Sequence, residues 1–405
     1  MGKPKIRFRG YTDDWEQRKL SEFGEATGGT SIESEFSADG IYKVISIGSY
    51  SEDNIYRDQG IRAVRSDKTI NRILNKGDIT MILNDKTASG NIIGRVLLIE
   101  ESGVYVYNQR TERIEVGSEN YNSQFIYTML NAPEIRDKII KQSQGNTQIY
   151  VNWTTVSQTD YLVPQIEEQI KIGEYFKSID NLITLHQRKC EETKKLKKYM
   201  LQKMFPQNGQ VVPEIRFSGF TDDWEQRKVS EITTSYSGGT PKAGKAEYYD
   251  GDIPFIRSGE IYDKYTELFI TQEGMNNSSA KMVSKGDILY ALYGATSGEV
   301  SRAGLDGAIN QAILAILPEE GIDADFLVEW FRNEKANIID KYLQGGQGNL
   351  SAQIIKNLDI LIPSFEEQQK MGQYFSELNN LITLHQNKCD ELKKIKKFML
   401  QNMFV

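Results

Sequence analysis

KPKIRFRGYTDDWEQRKLSE, residues 3–22, returns as VPEIRFSGFTDDWEQRKVSE, residues 212–231, with 15 of 20 positions identical. A second block, IDNLITLHQRKCEETKKLKKYMLQKM (179–204), returns as LNNLITLHQNKCDELKKIKKFMLQNM (378–403) with 18 of 26 identical. The period is 209 residues at the front block and 199 at the back, so the chain holds one duplication and not a solenoid of short repeats. The middles, 27–150 and 236–345, share only scattered framework. Lys76-Gly77-Asp78-Ile79 echoes Lys285-Gly286-Asp287-Ile288, and Asn108-Gln109 echoes Asn310-Gln311. Drift alone would not spare two blocks while erasing what lies between them. The constant parts should present one surface to two copies of the same partner, and the differing middles should contact two different things.

The back block is preceded by LVPQIEEQ (162–169) and LIPSFEEQ (361–368). Pro164 and Pro363 end an extended run, and the Glu pair that follows suits the first turn of a helix, where negative charge meets the helix dipole. From there to Phe205 or Phe404 no proline intervenes, and glycine occurs once in each copy, at Gly173 and Gly372. Ile172, Tyr175, Ile179, Leu182, His186, Thr193, Leu196 and Met200 recur at intervals built from threes and fours, one face of a helix. Roughly 40 residues at about 1.5 Å each make a rod on the order of 60 Å. That length predicts a coiled coil, and two copies in one chain predict that they pack antiparallel.

The middles read as mixed α/β. Runs at 42–47, 79–83, 95–99 and 104–107, and at 253–256, 288–293 and 309–317, are rich in Ile, Val, Leu and Tyr and bounded by turn formers, as strands are. Helical patterns follow at 123–142 and 323–343, then loops rich in Gly, Gln and Asn at 142–148 and 344–349. The predicted fold class is α+β: two mixed α/β domains, 1–164 and 207–363, separated by two long helices, 165–206 and 364–405, packed as an antiparallel coiled coil with a pseudo-two-fold internal repeat.

The composition, 39 % hydrophobic and 26 % charged, is that of a globular protein. No apolar run reaches the ~20 residues that cross a bilayer. No apolar stretch follows the basic residues of the first segment, so no secretory leader and a cytoplasmic location are expected. Gly2 opens something like a myristoylation site, but Ile6 stands where Ser or Thr is needed. Two cysteines give no disulfide framework. The net charge of −7 weighs against a nucleic-acid partner. It is unevenly spread: −2 over 1–164, +3 over 165–206, −9 over 207–363 and +1 over 364–405. If the second domain meets DNA, its few cations must gather on one face.

Motifs for chemistry are missing from the sequence. There is no G-x-x-x-x-G-K-[ST] loop, no G-x-G-x-x-G after a strand and nothing resembling an adenosylmethionine loop, so no cofactor is expected in this chain. GGTS (28–31) and GGTP (238–241) read as turns, since no helix-opening phosphate cradle follows. His186 with Cys190, and His385 with Cys389, stand at i and i+4. They are core positions of the rod or, alternatively, a two-His two-Cys zinc site formed when the helices pack antiparallel. With both histidines on the rod, acid–base catalysis by histidine is not expected. Asp13-Asp14 and Asp222-Asp223 are read as caps to the segment before Trp15 and Trp224.

Base edges are read by Arg, Lys, Asn, Gln, Ser and Thr on loops and strand ends. In the first domain the candidates are Arg62 and Arg65, in a basic stretch with Lys68 and Arg72. They also include Asn84, Lys86, Thr87 and Ser89 in a polar loop after a strand, then Gln109, Gln144 and Asn146. In the second they are Arg257, Ser258, Tyr293, Thr296, Ser297, Gln311, Gln347 and Asn349. The lysine runs 194–198 and 393–397 read as the wet face of the rod.

These residues resemble the specificity subunit of Type I restriction–modification systems. The likeness rests on Trp15-Glu16 and Trp224-Glu225 opening each repeat, IPFIRSG (253–259) and GDILYALYGATSGEV (286–300). INQAIL (309–314) and GNLSAQIIKNLDILIPSFEEQ (348–368), ahead of the long helix, extend it. In the first repeat the GAT-S-G form is replaced by 84–94, and the implied contacts carry over less firmly there. The resemblance implies two target recognition domains, each reading one half of an interrupted asymmetric site in double-stranded DNA, with the helices setting the gap. It implies two adenine-N6 methyltransferase (M) subunits docked on the chain and restriction (R) subunits joining them, with catalysis and adenosylmethionine belonging to those partners. A protein-only scaffold whose unlike domains grip two different proteins is the alternative.

Overall fold

The computed structural model describes residues 3–86, 89–146, 148–207, 209–343 and 349–404. They form two compact units, one of residues 1–187 with 387–405, the other of residues 188–386. The long helices, Ile166–Met204 and Phe365–Met403, run 39 residues each, and each unit takes a segment from both.

Within each unit the front constant block pairs with the strand that leads into the long helix. Strand Glu16–Lys19 pairs antiparallel with Asp160–Val163, Glu16 opposite Val163. Strand Glu225–Lys228 pairs with Asp359–Ile362 in the same register, Glu225 opposite Ile362. Trp15 and Trp224 behind these strands are buried, edge-on to Phe125 and Phe326. The acidic opening of each long helix does more than oppose the dipole. Glu168 is buried and accepts hydrogen bonds from Arg7 Nε and Nη2, both at 2.7 Å. Glu367 accepts the same pair from Arg216, at 2.6 and 2.7 Å. This bidentate fork fixes orientation as well as charge, which a lysine would not do.

The helix segments pack within each unit, but not through the whole face expected: Ile172 and Ile179 are buried together with Phe176, Ile183 and Cys190, whereas Leu182 and Leu196 stay exposed. In the first, Cys389 and Leu392 close on Ile179 and Ile183, Lys396 pairs with Asp180, and Phe404 packs on Phe176. Partner numbers fall as these rise, so the segments run in opposite directions there. In the second, Cys190 Sγ lies 3.8 Å from Ile382 O, Lys197 donates to Asn379 Oδ1 at 2.7 Å, and Phe205 stacks on Phe375. Cys190 and Cys389 are buried and unbridged. Among the described residues no group of three or more His, Cys, Asp or Glu is gathered as metal ligands would be.

The first unit's middle holds a four-stranded sheet in the order Gly24–Gly28, Thr111–Val116, Ile79–Ile82, Val96–Leu98. Beside it is a three-stranded sheet of Arg62–Ala63, Tyr42–Ile45 and Tyr105–Tyr107. The second unit repeats the first of these with Thr233–Ser237, Ile313–Pro318, Ile288–Ala291 and Val300–Arg302. Its other sheet orders Phe269–Ile270, Tyr249–Ile256, Gly307–Ile309 and Lys281–Val283. One parallel pair recurs, with Ile45 opposite Tyr107 and Ile256 opposite Ile309.

Two expected elements are broken in the structure. The helix expected over 123–142 is two, Ser123–Leu130 and Pro133–Ile140, because Pro133 lacks the N–H a continuing helix needs and starts a new one. The strand expected over 309–317 is also two, Gly307–Ile309 and Ile313–Pro318, one in each sheet. Between them Asn310 Oδ1 accepts from Ala312 N at 3.0 Å and turns the chain from one sheet to the other. No helix among the described residues is long and apolar enough to cross a membrane.

Candidate nucleic-acid interface

The polar loop after Ile82 and the amide-rich loop before Val151 are far apart in sequence and adjacent in space. Asn84 pairs with Tyr150 across strands Asn84–Asp85 and Ile149–Tyr150. On its other edge Tyr150 exchanges two backbone hydrogen bonds with Gln144, both 2.9 Å. Val151 N donates to Leu83 O at 2.9 Å and locks the register. A cleft of about 500 Å³ opens beside this ribbon, lined among others by Asn84, Arg110, Glu112, Gln148, Tyr150 and Trp153. Tyr150 is partly exposed on its wall, and Arg110 next to Gln109 holds a left-handed backbone (φ 67°).

The second unit builds the same corner from other residues. Tyr293 bridges to Asn349, and Leu350 N donates to Leu292 O at 3.0 Å. Tyr293 thus takes the place of Asn84, and Asn349 that of Tyr150. Gln347 and Thr87 lie outside the described residues. The double-glycine loops serve both corners by close approach. Gly29 N donates to Thr111 O and Gly238 N to Asn310 O. A Cβ on Gly29 would stand 2.1 Å from Asn108 O, and one on Gly238 would stand 1.8 Å from Ile309 O. Structural equivalence thus joins Gly29 to Gly238, one residue off the match of GGTS with GGTP.

The structure distributes the sequence candidates unevenly. Asn84, Gln144 and Asn146 belong to the ribbon, and Lys86 and Ser89 follow it, exposed. Gln109 is exposed and donates to Glu33 Oε1 at 3.3 Å; its counterpart Gln311 accepts from Thr240 Oγ1 at 2.8 Å. The basic stretch 62–72 does not act as one patch. Arg62 grips Asp58 with Nη1 and Nη2 at 2.9 and 3.0 Å, which holds that carboxyl well below its usual range. Lys68 pairs with Glu35. Arg72 donates to Gly28 O at 2.7 Å, Tyr107 Oη at 3.0 Å and Thr30 Oγ1 at 3.1 Å, so it braces the glycine loop. Arg65 is exposed and has no ion pair among the described residues. In the second unit Arg257 pairs with Glu260 and Glu267, which raise its pKa further, and Ser258 beside it is half-buried. Thr296 is half-buried, whereas Ser297 is buried with its hydroxyl on Leu292 O and Gly294 O, closing a turn.

Sequence reasoning passed over Arg110 and Glu112. Glu112 lies in a strand without clean alternation, TERIEV, so nothing marked it as inward-facing. It is buried, and desolvation lifts its carboxyl to about 7 against the lowering influence of Arg72.

A model of the Type I restriction modification DNA specificity domain matches residues 12–195 and again residues 221–394. The chain belongs to that family. Each copy of the specificity domain spans one sheeted middle and most of the long helix that follows it. The chain is 29 % identical over 191 residues to the Type I restriction enzyme MjaIX specificity subunit of Methanocaldococcus jannaschii, a match covering 45 % of this chain and 44 % of that relative. It therefore spans less than half the length of that protein. With the MjaVIII specificity subunit of the same organism the identity is 22 % over 410 residues, 95 % of this chain and 91 % of the relative. The Type-I restriction-modification system S subunit from M. genitalium shares the fold, with a TM-score of 0.70 at 15 % identity over 100 % of this chain and 99 % of that one.

Proposed function

We propose that this chain reads a bipartite, asymmetric site in double-stranded DNA, one half-site per unit, and carries no catalytic centre or resident cofactor of its own. The observation that carries this reading is one frame with two fillings. The same registers and the same Arg–Glu forks hold corners whose residues differ, half-buried Asn84 and exposed Tyr150 in one, half-buried Tyr293 and exposed Asn349 in the other. Base readout needs different polar groups at each half-site, while a common frame keeps both in one orientation. The long helices, as an antiparallel coiled coil with pseudo-two-fold symmetry, would set the gap between half-sites.

Two methyltransferase subunits would dock on surfaces that recur. Leu182, Ile395 and Phe398 are exposed on the helix segments of the first unit, and their repeat equivalents Leu381, Leu196 and Tyr199 on those of the second. Large apolar side chains in the open at matching positions of both copies support a protein interface used twice. Restriction subunits would join that assembly.

The test is adenine-methylation mapping of genomic DNA in cells that supply the methyltransferase subunit, with and without this chain. A new two-part motif that depends on the chain is the expected result. Unchanged methylation, with the chain folded and bound to its partner, would overturn it. The acidic second unit favours the rival scaffold reading, which predicts no salt-dependent retention of the assembled complex on DNA.

A further inference from the structure

The cleft of the first unit holds an ionisable group where the second unit has none. Glu112 stands opposite Gly28 on one neighbouring strand and Met81 on the other. Leu314 occupies the same node, opposite Ser237 and Tyr290. Leu314 is 1 % exposed, as an apolar residue in a core should be. Glu112 is 6 % exposed, and among the described residues its carboxyl makes no hydrogen bond. A carboxyl set in a sheet without a partner, its oxygens still open to the cleft, is costly to desolvate, and the leucine of the other unit shows that the sheet does not require it. Nor is it bonded to Arg72, whose guanidinium is held by Gly28 O, Thr30 Oγ1 and Tyr107 Oη. Gly28 leaves the carboxyl room: a Cβ there would come within 3.2 Å of Glu112 Oε2.

The walls of the cleft show what would complete this carboxyl. Tyr150 and Trp153 offer aromatic faces, and Asn84, Gln148 and Arg110 offer hydrogen-bonding groups around one recess of about 500 Å³. In the major groove a carboxylate accepts from the exocyclic amine of adenine or cytosine but meets the O6 of guanine or the O4 of thymine as a second acceptor. We propose that Glu112 is a specificity-determining residue of the first unit, its carboxyl accepting a hydrogen bond from the exocyclic amino group on the major-groove edge of one adenine or cytosine that faces this cleft. The assignment rests on the DNA-reading function proposed above and goes further, in naming the group that selects and the base class it selects.

The experiment uses the full chain with its methyltransferase subunit and duplexes carrying the sequence obtained by methylation mapping. Each adenine or cytosine is replaced singly by its analogue lacking the amino group. The expected result is one position in one half-site where amine removal weakens binding roughly ten- to a hundredfold. In Glu112→Leu that dependence should vanish while the other half-site is read unchanged. Glu112→Gln, which keeps the shape and adds a donor, should tolerate guanine or thymine at that position. If no position of either half-site responds to amine removal in the unaltered protein, the inference is overturned without recourse to a variant. If one responds but still does so in Glu112→Leu, the amine is read by another residue and the inference is again overturned. Should the unaltered complex fail to bind DNA at all, the proposed function falls first.

Discussion

Lys197 Nζ lies 2.9 Å from Glu329 Oε2, joining the first long helix to helix Ala324–Leu343 of the second unit. Both side chains are largely out of water, at 13 % and 3 % exposure. Burial pulls the lysine pKa down while Glu329 pulls it up, and burial wins. In the first unit the equivalent lysine, Lys396, instead meets Asp180 of the facing helix. The sheeted middle of the second unit is therefore tied electrostatically to the rod through a carboxylate that the first unit does not have.

Glu329→Ala strips both Lys197 and the more exposed Arg332 of their carboxylate, and should destabilise the protein by somewhat less than the roughly 3–5 kcal/mol that follows from breaking a buried pair, because Lys197 can shed its proton and Arg332 can turn to solvent. Adding Lys197→Met should restore most of the loss in thermal denaturation. A double variant no more stable than Glu329→Ala would show that the pair is not the source.

Arg7→Ala and Arg216→Ala each leave a buried glutamate alone at the start of a long helix, Glu168 or Glu367. Each should cost about 3–5 kcal/mol in chemical denaturation. Arg7→Lys and Arg216→Lys should rescue only part, since a point charge cannot replace the two parallel hydrogen bonds.

Glu112 gives a pH dependence with a definite sign. Its carboxyl pKa is lifted to about 7 in the folded chain from 4.5. The folded state thus binds this proton more tightly than the unfolded one. Its contribution to stability is full below about 4.5 and is lost as pH rises through about 7. Between pH 5 and 8 the melting temperature should fall further in the unaltered chain than in Glu112→Leu, by differential scanning calorimetry at matched ionic strength.

Lys86→Ala and Arg257→Ala should differ on DNA. Lys86 is exposed on the ribbon loop, and its loss should lower the salt slope of binding by about 1 and weaken the first half-site alone. Arg257 is already engaged by Glu260 and Glu267, so its removal should cost less. Glu267→Gln should tighten binding by releasing it. Fluorescence anisotropy across a salt series separates these outcomes.

Much of the frame was legible in the residues because its signals are local and doubled. The duplicated blocks and the absence of proline marked the helices to within a residue or two of Ile166–Met204 and Phe365–Met403. Strands at Tyr42–Ile45, Ile79–Ile82 and Ile288–Ala291 were marked by runs of apolar residues. Strand Gly24–Gly28 was not, since GEATG has neither alternation nor bulk and depends on long-range partners, Thr111–Val116 beside it and Arg72 on Gly28 O. The site was less legible for the same reason. Asn84, Gln144 and Tyr150 become one ribbon through long-range pairing that no spacing announces. That Arg62 and Arg72 are engaged by Asp58 and by the glycine loop depends on where those neighbours fold.

The nearly identical blocks that frame each middle also have a hereditary consequence. A pair of crossovers, one in a stretch encoding residues 3–22 or 212–231 and one in a stretch encoding 179–204 or 378–403, would exchange one sheeted middle for another. It would leave every strand register and Arg–Glu fork of the frame intact. New recognition could then arise by shuffling whole cassettes in a single event, without the unstable intermediates that stepwise substitution of a packed core must pass through.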